Sequence, residues 1–357
     1  MNPEPVDQIM TRALAQGVFP GAVLKVVRHG QAVFERAYGV RDIQAQSPVT
    51  RDTVFDLASL TKALSTAPAL MLLVQRGRVG LESTLSELLP EFRQGDKKDI
   101  TLCQLLCHQS GLVDHRPYYR GLALLPVEKR DRALKTLLVN EPLVNRPGTR
   151  VVYSDIGYMI LAWVVEACSG MPIDVFVHQE VFSPLGITGL DYIRKDDPEQ
   201  ENWAFASTEH CPWRKKTLIG EVHDDNAWVM GGRGGHAGLF GTADGVGLLL
   251  AEYLAVYHGR SRNCVFDRSV LRFFLTEWNS TGRTPGFDMP SLEGSSSGRF
   301  FSKTSVGHLG FTGTSFWMDL EQDLFVVLLS NRVHPGRDNV MIRSFRPLIH
   351  DAVMENL

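Results

Sequence analysis

A serine and a lysine stand three positions apart in the stretch DLASLTKAL, residues 56–64. Residues i and i+3 share one helix face about one turn apart, so the hydroxyl of Ser59 and the amine of Lys62 can touch if a helix begins here. A serine hydroxyl needs a base before it attacks a carbonyl, and a lysine can serve if burial and nearby positive charge pull its pKa below about 10.4. The spacing therefore predicts a nucleophile with its own base.

The hydrophobic pattern that follows predicts the helix these two residues need. Apolar residues recur at three- and four-residue steps from Ala63 to Val74, and Gly77 ends the pattern. The unpaired amides and positive dipole end of a helix N-terminus favour the oxyanion formed when a serine attacks a carbonyl. S-x-x-K alone is a weak motif, because a capping serine beside a solvent-reaching lysine gives the same letters.

Two further motifs strengthen the hypothesis. In VVYSDIGY, Tyr153 precedes another predicted helix, and a phenol near a lysine can relay protons between nucleophile and leaving group, although a packing aromatic is the alternative. In GHLGFTGTS, His308-Leu309-Gly310 starts a predicted late strand, whose glycines let a ligand backbone lie close. A bulge in that strand is the alternative.

In this order and at these separations, the three motifs resemble the signature of the serine β-lactamase and penicillin-binding protein superfamily, to which S-x-x-K belongs. The resemblance is strongest to the class C β-lactamase and esterase branch, and it runs from FPGAVLKVV through HQSGL and GHAGLF to FVVLLSNRVHP. The motif positions are occupied by Ser59-Leu60-Thr61-Lys62, Tyr153-Ser154-Asp155 and His308-Leu309-Gly310.

The resemblance implies a role for each motif residue. Ser59 would be the acylated nucleophile, Lys62 its proton partner and Tyr153 the second acid or base. The amides of Ser59 and Phe311 would form the oxyanion hole, with Phe311 following the third motif on the edge strand. No metal or other cofactor is required. The residues expected to contact substrate are Asp155, His308, Gly310 and Phe311.

Two positions depart from the common family pattern. The third motif of β-lactamases is usually Lys-Thr-Gly, and His308 in place of that lysine is mostly neutral at pH 7 and holds a substrate carboxylate weakly. The second motif commonly ends in asparagine, whereas the carboxylate of Asp155 only accepts hydrogen bonds. Both changes argue against efficient β-lactam hydrolysis. Asp155 also suits the N-cap of the helix predicted from about 156 to 168, and the two roles are compatible.

The enzyme expected from these motifs is a serine hydrolase that cleaves an ester or amide bond of a small substrate through an acyl-enzyme. A carboxylesterase-like or amide-hydrolysing activity ranks first, a D-amino-acid peptidase or carboxypeptidase second, and a true β-lactamase third. A different class also stays open, namely a catalytically idle receptor for peptidoglycan fragments. The natural acyl substrate and the oligomeric state do not follow from the motifs.

Strand patterns occur mainly at the two ends of the chain. Residues 21–40 read as two β-rich runs joined at Gly30, and GTSFWMDL and LFVVLLSNRV flank an acidic turn at 321–323. We therefore predict an α/β (α+β) fold, an antiparallel sheet flanked by helices with an inserted helical subdomain, which is β-lactamase/transpeptidase-like by the resemblance. The predicted single domain covers 1–357, with 1–80 and 231–357 as the sheet-and-helix part and 81–230 mainly helical.

Composition restricts the class of partner. The 357 residues carry a net charge of -3, so the chain lacks the basic field that nucleic acid or an anionic membrane requires. The expected partner is a small ester, amide or peptide, with no nucleic acid and no membrane. The five cysteines, among them Cys264, are odd in number and lack framework spacing, which indicates reduced thiols and a cytoplasmic location, or a periplasmic one if a signal peptide has been removed.

Two clusters suggest metal ligands by residue type alone. The stretches VHDDN and GGRGGHAG bring His223, Asp224, Asp225 and His236 close in sequence. They lack the i, i+4 spacing of helical ligands, and glycine-rich turns beside an active site explain them as well. Cys103, Cys107 and His108 form the second cluster, for which buried thiols on a helix are the preferred interpretation.

Overall fold

Hairpins from the two ends of the chain lie side by side in the main sheet of the computed structural model, which describes residues 1–194, 200–263 and 265–357. Its eight strands follow the order β10-β11-β12-β13-β14-β1-β2-β3. The smaller sheet has the order β5-β9-β4-β6, and β7 pairs with β8. The strands are β1 Gly21–Arg28, β2 Gln31–Asp42, β3 Ser47–Pro48, β4 Thr53–Asp56, β5 Leu190–Tyr192, β6 Ala204–Phe205, β7 His210–Cys211, β8 Lys216–Thr217, β9 Leu239–Gly241, β10 Arg283–Thr284, β11 Phe287–Asp288, β12 Val306–Leu309, β13 Ser315–Asp319 and β14 Leu324–Ser330.

Helices cover both faces of the main sheet. The α-helices are α1 Glu4–Ala15, α2 Ala67–Gln75, α3 Leu85–Leu88, α4 Leu102–Leu106, α5 Tyr119–Leu122, α6 Val127–Asn140, α7 Asp155–Ser169, α8 Ile173–Val177, α9 Asp225–Val229, α10 Ala243–Tyr257, α11 Arg268–Phe274 and α12 Ile342–Glu355. Two π-helical turns, Lys62–Thr66 and His178–Phe182, and a 3₁₀ turn, Pro90–Phe92, complete the helical structure of the described residues. The predicted class, an antiparallel sheet flanked by helices, is confirmed.

Strand β1 shows why the sheet is buried on both faces. Successive side chains of a strand point to opposite faces. Ala22, Leu24 and Val26 therefore pack with α1 and α12 in one cluster, whereas Val23 and Val27 pack with the helices on the other side. Both predicted hairpins are present, β1 with β2 and β13 with β14.

Two predictions about the third motif were wrong. His308-Leu309-Gly310 closes strand β12, which ends at Leu309, instead of starting it. The strand is also not an edge strand, because β11 pairs with it through Asp288 and Gly307. Four strands of two or three residues, β5 to β8, lie within the region predicted to be mainly helical.

The cysteines of the described residues are free thiols, namely Cys103, Cys107, Cys168 and Cys211. Cys264 lies outside the described residues.

Among the described residues, no single helix is long and apolar enough to cross a membrane. One pair, Asp155–Ser169 with Ile173–Phe182, meets the length and composition together but is bent by 69°.

Candidate active site

Ser59 lies at a sharp strand-to-helix turn. Strand β4 is held in the smaller sheet by β9 and ends at Asp56, whose Oδ1 accepts a hydrogen bond from the amide of Ala58 at 2.8 Å. Ala58 has a φ of +47°, a left-handed conformation that costs energy for any residue with a side chain. Directly afterwards the backbone winds into the π-helical turn Lys62–Thr66, a rare form that often marks functional positions.

The predicted contact between Ser59 and Lys62 is present. The Nζ of Lys62 donates to the Oγ of Ser59 at 3.1 Å, to Oδ1 of Asp155 at 2.7 Å and to the carbonyl oxygen of His236 at 3.1 Å. These three bonds use all the donors of an ammonium group. The side chain of Lys62 is 0% exposed, so its amine reaches no bulk solvent at rest.

Lys62 does not have the lowered pKa that a resting base would need. Burial does lower the pKa of this amine, but the negative charge of Asp155, followed by the interaction with Tyr153, outweighs burial and raises the pKa above its ordinary value. Burial likewise works to raise the pKa of Asp155, and the positive charge of Lys62 reverses this and lowers it. Lys62 therefore rests as an ammonium ion paired with Asp155.

Tyr153 stacks into the same cluster. Its ring centre lies 4.7 Å from the Nζ of Lys62 and 4.4 Å from the ring of His108. Burial raises the pKa of Tyr153, whereas the positive charge of Lys62 and the proximity of the phenol to Lys62 and Ser59 act in the opposite direction. The phenol is thus placed to exchange protons with both of its polar neighbours.

Asp155 does not cap its helix. The N-cap of α7 is Ser154, whose Oγ accepts from the amide of Gly157 at 3.2 Å. Asp155 is the first residue of the helix, and its second oxygen lies 3.8 Å from Nδ1 of His115. The N-cap hypothesis for Asp155 is therefore wrong, and its carboxylate faces Lys62 and His115.

We expect Asp155→Asn to shift the pH dependence of catalysis. Without the carboxylate, the effect of burial dominates and the pKa of Lys62 falls. The pair of Lys62 and Tyr153 then loses its proton at lower pH and can act as the base there. Removing an opposite charge at this distance corresponds to a shift of about 1 to 3 pH units in the ascending limb of kcat/KM. The measurement is the pH profile for p-nitrophenyl butyrate.

Asp114→Asn is the matched control for this shift. The exposed Asp114 lines the same cavity, but its Oδ1 accepts from the amide of His115 at 2.8 Å instead of pairing with the lysine. This variant should keep the parent profile. An ascending limb that stays in place or moves to higher pH in folded Asp155→Asn would contradict the assignment.

The third motif lies behind the reaction space instead of lining it. His308 is 1% exposed, and burial, followed by the positive charges of Lys62 and Arg283 acting against Asp288, lowers its pKa to about 4. Gly310 is needed for close packing, because a Cβ there would meet Oγ1 of Thr314 at 2.0 Å. Direct contact of His308 and Gly310 with substrate stays a prediction.

A cavity of about 610 Å³ opens in front of Ser59. Tyr153, Asp155 and the half-exposed ring of Phe311 line it. Within the described part of the chain, the amides of Ser59 and Phe311 donate to no protein acceptor, so both are available to an oxyanion. Four charged lining residues had no motif that could have indicated them, namely Asp114, His115, Arg120 and Arg337.

The first suspected metal cluster is committed to other interactions. His236 Nε2 lies 2.9 Å from Oδ1 of Asp224, which also accepts from the amide of Ala227 as the N-cap of α9. Asp225 accepts from Arg214, and His223 stacks on Phe311 at 5.5 Å. No group of three or more candidate ligands is arranged around a metal position among the described residues.

The second suspected cluster is also explained by packing. The sulfur atoms of Cys103 and Cys107 lie 4.0 Å apart on and beside α4, and both thiols are buried. Nδ1 of His108 accepts a hydrogen bond from the amide of Ser154 at 3.0 Å. His108 therefore positions the segment that carries Tyr153.

Glu209 is expected to stabilise the rim of the cavity in a pH-dependent way. Burial raises its pKa, but the hydrogen bond from Arg337, at 2.6 Å from Nε, and the imidazole of His223, 3.4 Å away, bring it down to about 2. A carboxylate with a lowered folded-state pKa contributes stability above its unfolded value of 4.5, and this is lost as the pH falls through 2. Glu209→Gln should therefore lower Tm at pH 7, with a deficit that shrinks below pH 4.5.

Thermal unfolding of parent and variant between pH 7 and pH 2.5 measures this deficit. Glu128→Gln, on the exposed side of α6, is the control and should show no such trend. A deficit of constant size at every pH would rule out the ionic role of Glu209.

Almost the whole chain matches a known protein family. The family model described as Beta-lactamase matches residues 6–349. The chain belongs to the Beta-lactamase family. The class of enzyme expected from the motifs, a serine hydrolase of this family, is thereby confirmed.

Relatives of this β-lactamase-family enzyme carry several different activities in their names. It is 35% identical to the N-acetylmuramyl-L-alanine amidase of Bacillus subtilis (strain 168), over 92% of this chain and 80% of that protein. It is 28% identical to the "Putative D-alanyl-D-alanine carboxypeptidase" of Escherichia coli (strain K12), over 93% of this chain and 83% of that protein. The solved structure of EstCE1, described as a hydrolase with promiscuous acyltransferase activity, shares the fold with a TM-score of 0.75, 21% identity and 98% of each chain covered.

Proposed function

We propose that this enzyme hydrolyses an ester or amide bond of a small substrate through an acyl group attached to Ser59. The observation that carries the proposal is the hydroxyl of Ser59 at the wall of the cavity, 3.1 Å from the Nζ of Lys62. The amides of Ser59 and Phe311 act as the oxyanion hole of this reaction. The 35% identical relative named as an amidase supports cleavage of an amide bond, and the protein of the same fold described as a hydrolase with promiscuous acyltransferase activity is compatible with an acyl-enzyme.

The protonated state of Lys62 determines the route of proton transfer. Since Lys62 rests as an ammonium, Lys62 and Tyr153 together act as the base only after the pair has released one proton to solvent. The Oγ of Ser59 then forms its bond to the substrate carbonyl carbon while its proton passes to this pair. The pair returns the proton to the leaving alcohol or amine, and a water molecule repeats the sequence on the acyl-enzyme to release the acid.

A carboxypeptidase activity is the second candidate, and Arg120 favours it. This exposed residue lines the cavity and contacts the hydroxyl of Tyr119, at 3.5 Å from Nε, so its charge is accessible to a substrate carboxylate. Neutral His308 cannot supply such a charge above pH 4. With a peptide ending in D-Ala, Arg120→Gln should then raise KM with little change in kcat, and with p-nitrophenyl butyrate it should change neither.

Intact-mass analysis tests the proposal directly. The protein is exposed to p-nitrophenyl butyrate, to D-Ala-D-Ala peptides and to penicillins, and the mass of any attached acyl group is read after rapid quenching. Turnover of an ester or peptide with a transient adduct supports a hydrolase. A stable adduct without turnover of any member indicates the idle receptor instead, and the absence of both adduct and turnover with every member removes the proposal.

A further inference from the structure

Two guanidinium groups lie buried against the turn that carries Phe311. Arg346 of α12 is 5% exposed, and its Nη2 donates to the carbonyl oxygens of Gly310 at 3.1 Å and Thr314 at 2.7 Å. Arg332 is also buried, and its Nε donates to the carbonyl oxygen of Phe311 at 2.9 Å. Both cations therefore bind backbone of the same short turn.

Neither cation has a carboxylate partner within the described residues. Burial, with the charge of Arg332, lowers the pKa of Arg346 to about 9, which leaves it protonated at pH 7. A buried charge without a counter-ion costs stability. Such local costs are expected at functional sites, where they are offset by the rest of the fold. A role confined to holding the turn in place would not require a charged donor.

The position of Arg346 relative to the oxyanion hole has a chemical consequence. The carbonyl of Gly310 and the N–H of Phe311 belong to the same planar peptide group. A cation that donates to the carbonyl oxygen draws electron density from the amide, and hydrogen bonds in such a chain polarise one another. The N–H of Phe311 becomes a stronger donor, and its direction is fixed.

The turn is also tied to the segment that carries the nucleophile. Thr312 Oγ1 donates to the carbonyl oxygen of Asp56 at 2.6 Å, and Thr314 Oγ1 donates to that of Leu57 at 3.2 Å. The two proposed oxyanion donors are thereby held in one frame. Of these two donors, Arg346 orients the amide of Phe311.

We propose that Arg346 is a positioning residue of the oxyanion hole, which orients and polarises the Gly310–Phe311 peptide toward the tetrahedral intermediate. The inference rests on the proposed function, because it requires attack by Ser59 on a carbonyl. Its effect is confined to the state in which the oxyanion carries charge. Binding of the neutral ground-state substrate does not use it.

Removing the guanidinium should leave the turn folded. The carbonyl oxygen of Gly310 also accepts from the amide of Gly313 at 3.2 Å, and that of Thr314 accepts from the amide of Gly310 at 2.7 Å. Arg346→Met therefore leaves neither carbonyl without a donor and replaces the buried stem with an apolar chain of similar reach. Loss of activity in this variant can be separated from unfolding.

The experiment compares Arg346→Met and Arg346→Lys with Arg343→Met, an exposed residue of the same helix. Steady-state constants are measured with p-nitrophenyl butyrate, and affinity is measured for butylboronic acid, whose serine adduct carries a tetrahedral oxyanion. Loss of a whole oxyanion donor typically costs about 100-fold to 1,000-fold in kcat. Because the donor remains here, we expect about a 10-fold fall in kcat for Arg346→Met, a parallel fall in boronate affinity and little change in KM.

The control and the charge-keeping variant sharpen the result. Arg343→Met should match the parent, and Arg346→Lys should recover part of the loss in both readouts. Unchanged kcat and boronate affinity in a folded Arg346→Met overturns the inference, as does a change confined to KM. If Arg346→Met does not fold, Arg346→Lys decides by the same two readouts, with no fall in either again overturning it. Failure of the proposed function is distinct, since the parent itself would then form no adduct and show no turnover.

Discussion

Replacing Ser59 with alanine is expected to lower kcat by a factor of about a million and to abolish covalent labelling. The hydroxyl of Ser59 is the group that Lys62 contacts at the cavity wall, so its loss removes the nucleophile but leaves the oxyanion donors and the binding surface intact. A residual rate from these donors should persist. Turnover of p-nitrophenyl butyrate and labelling by a fluorophosphonate probe measure the two effects.

Ser65→Ala is the control for the nucleophile. Ser65 lies in the same π-helical turn, but its hydroxyl is buried and bonded to that of Tyr192 at 2.8 Å. This variant should be labelled like the parent wherever it is folded. Equal labelling of Ser59→Ala and the parent would overturn the assignment of the active site as a whole.

Tyr153→Phe should lower kcat by about 100-fold to 10,000-fold, which is the usual cost of losing a general acid or base. The change removes only the hydroxyl that shares protons with Lys62 and Ser59, and the ring keeps its stacking on His108. KM should change less than kcat. The measurement is steady-state turnover of p-nitrophenyl butyrate across the pH range in which the parent is stable.

Tyr158→Phe provides a matched control for this hydroxyl. Its ring centre is 5.5 Å from the Nζ of Lys62, but its hydroxyl donates to the carbonyl oxygen of Leu106 at 2.9 Å. The control should lose stability, by about 1 to 3 kcal/mol for an unsatisfied buried group, and keep its activity. If Tyr153→Phe remains within about threefold of the parent, well short of the loss expected for a general base, Tyr153 is a packing residue.

Short-range patterns predicted most of the elements around the site. The apolar periodicity from Ala63 to Val74 predicted the helical segment that follows Ser59, and Gly30 marks the turn between β1 and β2. The i, i+3 spacing also predicted that Ser59 and Lys62 would touch. Each of these features depends on residues that are neighbours in sequence, for which backbone preferences and periodicity are informative.

The contact between Lys62 and Asp155 could not be predicted from local spacing. Asp155 is 93 positions away from Lys62, and the contact arises only when α7 packs against the helix that follows Ser59. The same packing decided which residue caps α7, since Ser154 and Asp155 are both good N-caps. Ser154 took the cap, and the carboxylate of Asp155 turned toward the lysine.

The pairing of β1 with β14 delays completion of the active site until nearly the whole chain has been synthesised. Ala22 pairs with Ser330, so the centre of the main sheet requires contacts between residues more than 300 positions apart, and such non-local topology slows folding. The turn carrying Ser59 emerges early, whereas the turn carrying Phe311 and the helix carrying Arg346 emerge last. During synthesis, the N-terminal hairpin therefore exposes an unpaired strand edge that is open to wrong partners. A chain that stops before α12 has its nucleophile but lacks Arg346, the residue proposed to orient the amide of Phe311.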